Sequence, residues 1–195
     1  MGYDVFAIKY AERDAVASEH FIGGDPHDDT PMPMDYFVWC VIDRDSGKAW
    51  MIDTGFETDD AEMRNRTLLR TAAECAALVG VDAAEVTDVV LTHFHYDHAG
   101  GVNQFPNATF HAQDAEMAFA TGRDMTRSAF RHAFNVRHVQ DLVGRVFAER
   151  VRFHDGDVEL APGLSLHLIG GHTRGLQVVR VDCGSAEESS GASTR

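Results

Sequence analysis

Three histidines and an aspartate crowd six consecutive positions in the run Thr92-His93-Phe94-His95-Tyr96-Asp97-His98-Ala99-Gly100-Gly101. Such a density of polar side chains is costly unless something unites them, because each imidazole or carboxylate taken from water needs a partner. On an extended segment His93 and His95 project to the same side, and a turn at Asp97 and His98 aims a second pair at a neighbouring point. One stretch can thus serve two adjacent metal ions. Gly100 and Gly101 let the backbone turn tightly behind the ligands with no Cβ in the way. The donors are nitrogen and oxygen without thiolate, a set that suits zinc and also cobalt, manganese or iron.

Cysteine chemistry does not compete with this reading. Cys40, Cys75 and Cys183 are far apart and odd in number, so neither a disulfide framework nor a Cys-x-x-Cys metal site is expected. Cys40 and Cys75 lie in apolar surroundings and read as small core residues.

The 195 residues, 44% apolar and 25% charged, suit one soluble globular domain. A formal charge of −14 repels phosphate backbones and anionic lipid, so neither nucleic acid nor a membrane surface is the expected partner. The longest useful apolar stretch, 37–42, is far short of the roughly 20 residues that a membrane helix needs. The opening residues lack a basic region followed by an apolar one, and Phe6 stands where a myristoylation signal wants Ser or Thr. A cytoplasmic protein is expected.

Alternating apolar residues predict strands over 3–10, 36–43 and 48–53, with a long loop over 20–34 whose prolines and paired glycines exclude a helix. That loop reads equally as a lid or as a solvated insertion. Spacing of Met63, Leu68, Leu69, Ala72, Ala76 and Val79 predicts one amphipathic helix over 59–80, stopped at Gly80. The β-branched run 86–91 then leads into the histidine cluster, which therefore sits at a strand's carboxyl end. Further on, a strand over 109–111 precedes helical patterns over 113–120, 126–134 and 138–148. Short strands follow over 151–154, 158–160, 164–169 and 176–181. Alternating blocks of this kind indicate an α/β or α+β layered domain over 1–183, with 184–195, devoid of large apolar residues, as a flexible tail.

The run from Thr92 to Gly101 resembles the His-x-His-x-Asp-His motif of the metallo-β-lactamase superfamily. Asp53-Thr54-Gly55 resembles that superfamily's early Asp-Thr-Gly, and Gly171-His172-Thr173-Arg174-Gly175 its later Gly-His-Thr-x-Gly, in the same order. The details resemble the N-acyl homoserine lactonase branch. The resemblance implies an αββα sandwich with the site at one edge of two sheets. It implies that His93, His95 and His172 hold one metal and that Asp97 and His98 belong to a second, one or two zinc ions in all. Asp97 would also carry a proton to the leaving oxygen, and Asp53 would orient a ligand histidine where a plain reading makes it a turn residue. His20, His27, His111, His132, His138, His154 and His167 have no such context and are assigned to surface or core.

The family pattern continues with a bridging aspartate and another histidine, and no histidine follows His172 in this chain. The expectation is therefore a sandwich incomplete at its C-terminal part, with a first site that three imidazoles fill and a weak second one. The function implied is opening of a small acyl lactone or ester by metal-activated water. Three alternatives stand beside it: a thioester hydrolase of the glyoxalase II kind, an iron enzyme of the persulfide dioxygenase kind, and an inactive fragment. Substrate chain length, metal identity and oligomeric state are left open by the sequence.

Overall fold

Period-two burial along the first strands sets the architecture. In the computed structural model, which describes residues 2–21 and 23–184, β1 (Tyr3–Arg13), β2 (Met34–Asp43) and β3 (Ala49–Ile52) form an antiparallel meander. Tyr36, Val38 and Cys40 of β2 point to one face and are buried, while Phe37 and Trp39 between them are exposed. Between β1 and β2, the described residues of the expected loop over 20–34 form no helix, as the prolines require, and its last residue, Met34, already belongs to β2.

The expected single helix over 59–80 is two helices. After α1 (Thr58–Arg64), Asn65 adopts a left-handed conformation (φ 53°) and ends the helix. A short strand, β4 (Thr67–Leu68), then pairs with β1 before α2 (Ala72–Leu78) begins. Thr71 and Glu74 form a reciprocal capping box at the start of α2, a restart signal that the apolar spacing alone conceals.

The chain continues through β5 (Asp88–Val90), the one-turn α3 (Tyr96–Ala99) and β6 (Thr109–Gln113). Next come α4 (Asp114–Thr121), α5 (Ser128–Arg131), α6 (Val136–Phe147) and β7 (Val151–His154). The predicted helical pattern over 126–134 shrinks to the four residues of α5, with Thr126 closing a short 3-10 helix (Arg123–Thr126) before it and a turn after it. Strands β3, β5, β6 and β7 run parallel, giving a seven-stranded sheet in the order β4-β1-β2-β3-β5-β6-β7. Strands β8 (Val158–Ala161), β9 (Leu164–Leu168) and β10 (Gln177–Val181) form a second, antiparallel sheet.

Helices cover one face of the large sheet, over a core that includes Phe56, Phe94, Phe105, Phe110 and Leu142. The small sheet covers part of the other, where Trp50, Ile52, Val90, Leu164 and Leu166 meet. The described residues thus supply one helical layer and two sheets of the four layers expected. Val5, Phe37 and Trp39 on the large sheet and Val178 on β10 remain exposed, and among the described residues β10 has β9 as its only strand partner. The two expected core cysteines are buried, and burial pushes both thiols up to about 11. Residues 185–195 of the expected tail lie outside the described residues.

Candidate metal centre

Parallel strands leave a crevice beyond their carboxyl ends, and the three motifs converge there. Asp53 follows β3 in a left-handed conformation (φ 63°), with its N–H donating to the carbonyl of Val90 at 2.8 Å. This turn aims its carboxylate at the loop after β5. One oxygen accepts from Thr92 N–H at 2.7 Å, and the other from Thr92 Oγ1 and His98 Nδ1, both at 2.8 Å. Asp53 therefore orients His98 and the start of the histidine loop.

The 53–56 loop lies directly on the turn behind the histidines. Thr54 N–H donates to His98 O and Gly100 N–H to Gly55 O, each at 2.7 Å. A Cβ on Gly101 would stand 2.4 Å from Thr54 O, which is why the sequence carries glycine there.

His93, His95 and His172 offer ring nitrogens that all lie within 4.8 Å of one another. His93 and His95 sit on the loop leaving β5, and His172 on the loop between β9 and β10, so the set spans both sheets. His95 Nδ1 and His172 Nε2 are 3.1 Å apart, and His93 Nε2 is buried with no hydrogen-bond partner. Three nitrogens about 2.1 Å from a tetrahedral ion stand roughly 3.4 Å from each other. The observed spacing and the orphaned nitrogen fit a divalent cation. Burial, together with the neighbouring imidazoles, lowers the His93 pKa to about 2 and that of His95 to about 4. Both rings are thus neutral at pH 7, the form that ligates a metal.

Asp97 and His98 adjoin this triad, and the His98 ring lies 4.0 Å from that of His93. His98 Nε2 faces Asp97 Oδ2 at 3.5 Å. Burial opposes charge on His98, but Asp53 and Asp97 outweigh it and raise the imidazole to about 10. Burial likewise raises Asp97, and His98 overcomes it, holding the carboxyl at about 2. Tyr10 Oη donates to the Asp97 carbonyl at 2.8 Å and ties β1 to this turn.

Several supporting residues escape a reading of the sequence. Phe134 packs edge-on against His95, with ring centroids 4.7 Å apart. Gln177 donates from Nε2 to Leu91 O and accepts from Gln113, joining the two sheets behind the histidine loop. Glu116, on α4, is fully buried; the signal was an acid on the same helix face as Phe119 and Ala120. Of the remaining histidines, His111 and His138 are buried against Asp88 and Asp60. Among the described residues the triad is the only set of three or more metal-ligating side chains found within reach of one ion.

A cavity of about 600 Å³ opens beside the centre. Asp53, Thr92, His93 and His98 form its polar end, and Trp39, Val41, Ile52, Leu176 and Val178 are among its apolar walls.

Comparison with known proteins agrees with this geometry. Residues 34–187 match the model of the metallo-beta-lactamase superfamily. A probable metallo-hydrolase of Mycobacterium tuberculosis is 30% identical over 169 residues, covering 74% of this chain and 52% of that protein. An N-acyl homoserine lactonase of a Bacillus species is 23% identical over 167 residues, covering 76% of this chain and 60% of that protein. The chain thus spans about half the length of the mycobacterial relative and 60% of the Bacillus one. The crystal structure of a quorum-quenching N-acyl homoserine lactone lactonase superposes with a TM-score of 0.71 at 17% identity, over 93% of this chain and 69% of that one. A lactone hydrolase with N-hexanoyl-L-homoserine bound at its catalytic metal centre gives 0.66 at 16% identity, over 92% and 70%. The chain belongs to the metallo-β-lactamase superfamily.

Proposed function

We propose that this chain holds a divalent metal ion, zinc in the first instance, on His93, His95 and His172 and hydrolyses an acyl lactone of the N-acyl homoserine type. The observation that carries this reading is the convergence of three imidazoles, from loops of two sheets, beside an apolar cavity that His93 and His98 line at its polar end. A cation bound there supplies Lewis-acid polarisation of a carbonyl and acidifies water.

The protein's own residues do the rest. Asp53 fixes the direction of the His98 ring, with Nδ1 committed to the carboxylate and Nε2 facing Asp97. Asp97 stays ionised at neutral pH, so its carboxylate would take the proton that the attacking water loses and pass it to the departing alkoxide. Asp97 and His98 also form the ligand pair for a weaker second cation, which must displace the imidazolium proton of His98. Trp39, Ile52 and Val178 exclude water from the acyl chain.

Each methylene buried against such walls contributes about 0.8 kcal/mol, or roughly fourfold in kcat/KM. The test is elemental analysis of zinc-loaded protein with hydrolysis of homoserine lactones of increasing acyl length. One tightly held ion per chain, lost in His172→Ala, and a chain-length dependence flattened by Trp39→Ala are expected. A protein that retains no metal, or that cleaves glutathione thioesters and leaves lactones intact, overturns the reading.

A further inference from the structure

We propose that Glu116 is a positioning residue whose carboxylate sets the spacing between the two loops that carry the imidazoles. Its Oε1 accepts the N–H of Phe94, the residue between His93 and His95, at 2.9 Å. Its Oε2 accepts the N–H of Gly175, three residues beyond His172, also at 2.9 Å. One side chain thus holds one backbone donor from each loop, and these loops belong to different sheets with no direct sequence connection shorter than 77 residues between His95 and His172.

The site is built for a carboxylate. Glu116 is 1% exposed, and both of its oxygens are occupied by backbone N–H groups. A Cβ on Gly175 would stand 2.2 Å from the Glu116 nitrogen, so the His172 loop lies flat on the first turn of α4 and only glycine permits the approach. Two acceptor oxygens on one rigid group match two N–H donors at a fixed separation; an amide in the same place turns an N–H₂ toward one of them. The loop that loses its acceptor carries its histidine away from the other two. Removing a group that orients ligands from behind typically lowers metal affinity 10- to 100-fold.

The experiment compares Glu116→Gln and Glu116→Asp with the unaltered chain. Zinc affinity is measured by chelator competition, and the visible spectrum of the cobalt-loaded protein reports ligand geometry. In metal-free protein, amide exchange at Phe94 and Gly175 and the nuclear Overhauser contact between the His95 and His172 rings report the spacing itself. Glu116→Gln is expected to bind zinc about 10- to 100-fold more weakly, to alter the cobalt spectrum, and to accelerate exchange at one of the two amides. Glu116→Asp, which keeps the charge and shortens the reach, is expected to weaken both the ring contact and zinc binding, and it decides the matter should Glu116→Gln fail to fold. Variants that keep zinc affinity within twofold and retain the ring contact overturn the proposal. Should the unaltered chain bind no zinc, the hydrolytic reading falls, and the metal-free ring contact and amide exchange still decide the role of Glu116.

Discussion

Replacing Asp53 by asparagine separates charge from backbone geometry at the hinge of the site. Asparagine tolerates the left-handed conformation that Asp53 adopts, so the substitution adds little strain. It removes the negative charge that His98 Nδ1 meets at 2.8 Å. His98 stands at about 10 rather than the usual 6.5, which corresponds to roughly 5 kcal/mol in favour of its charged form. Asp53 and Asp97 share that effect, so Asp53→Asn should cost about 2 to 3 kcal/mol of folding stability at pH 7. A raised folded-state pKa contributes stability that is fully present below the unfolded value and is lost as pH rises through the folded one. The difference between the two proteins should therefore shrink between pH 7 and about 10. Urea denaturation of metal-free protein across that range measures it, and an NMR titration of the His98 ring should show its midpoint falling by about two units. A midpoint that stays near 10 without Asp53, or an Asp53→Asn protein as stable as the original at pH 7, refutes the assignment of His98 to this carboxylate.

Two further outcomes follow from the same geometry. Gly101→Ala forces a methyl group to within 2.4 Å of Thr54 O, so it should destabilise the protein by about 1 to 3 kcal/mol and loosen zinc binding together with stability; an unchanged urea midpoint contradicts the close approach. Burial depresses His93 to about 2 and His95 and His154 to about 4, so below 6.5 the unfolded chain takes up protons that the folded one excludes. Stability of the metal-free protein should then fall as pH drops from about 6.5 to 4, by up to about 1.4 kcal/mol per pH unit for each ring, and a flat acid limb argues against burial of these three rings in neutral form.

The centre was legible in the sequence where local pattern carried it. His93, His95, Asp97 and His98 share one short run, and Asp53 and His172 sit in glycine-bearing turns at strand ends. Their meeting in space depends on topology, which only the structure displays. Apolar periodicity concealed the break at Asn65, because Met63 and Leu68 keep a helical spacing across residues that are not helical. Glu116, Gln113 and Gln177 were missed for a different reason. Each is polar within a core-facing pattern, and its partners lie between 22 and 86 residues away, beyond the reach of any sequence window.

The bare strip formed by Val5, Phe37 and Trp39, beside a β10 that pairs on one side alone among the described residues, governs how this polypeptide behaves in a tube. An open row of amide and carbonyl groups next to large apolar side chains is a template for any extended segment that drifts by, including one from a neighbouring molecule. Light scattering should rise with concentration long before heat unfolds the chain, and dilution, rather than cooling, is the way to keep it dispersed.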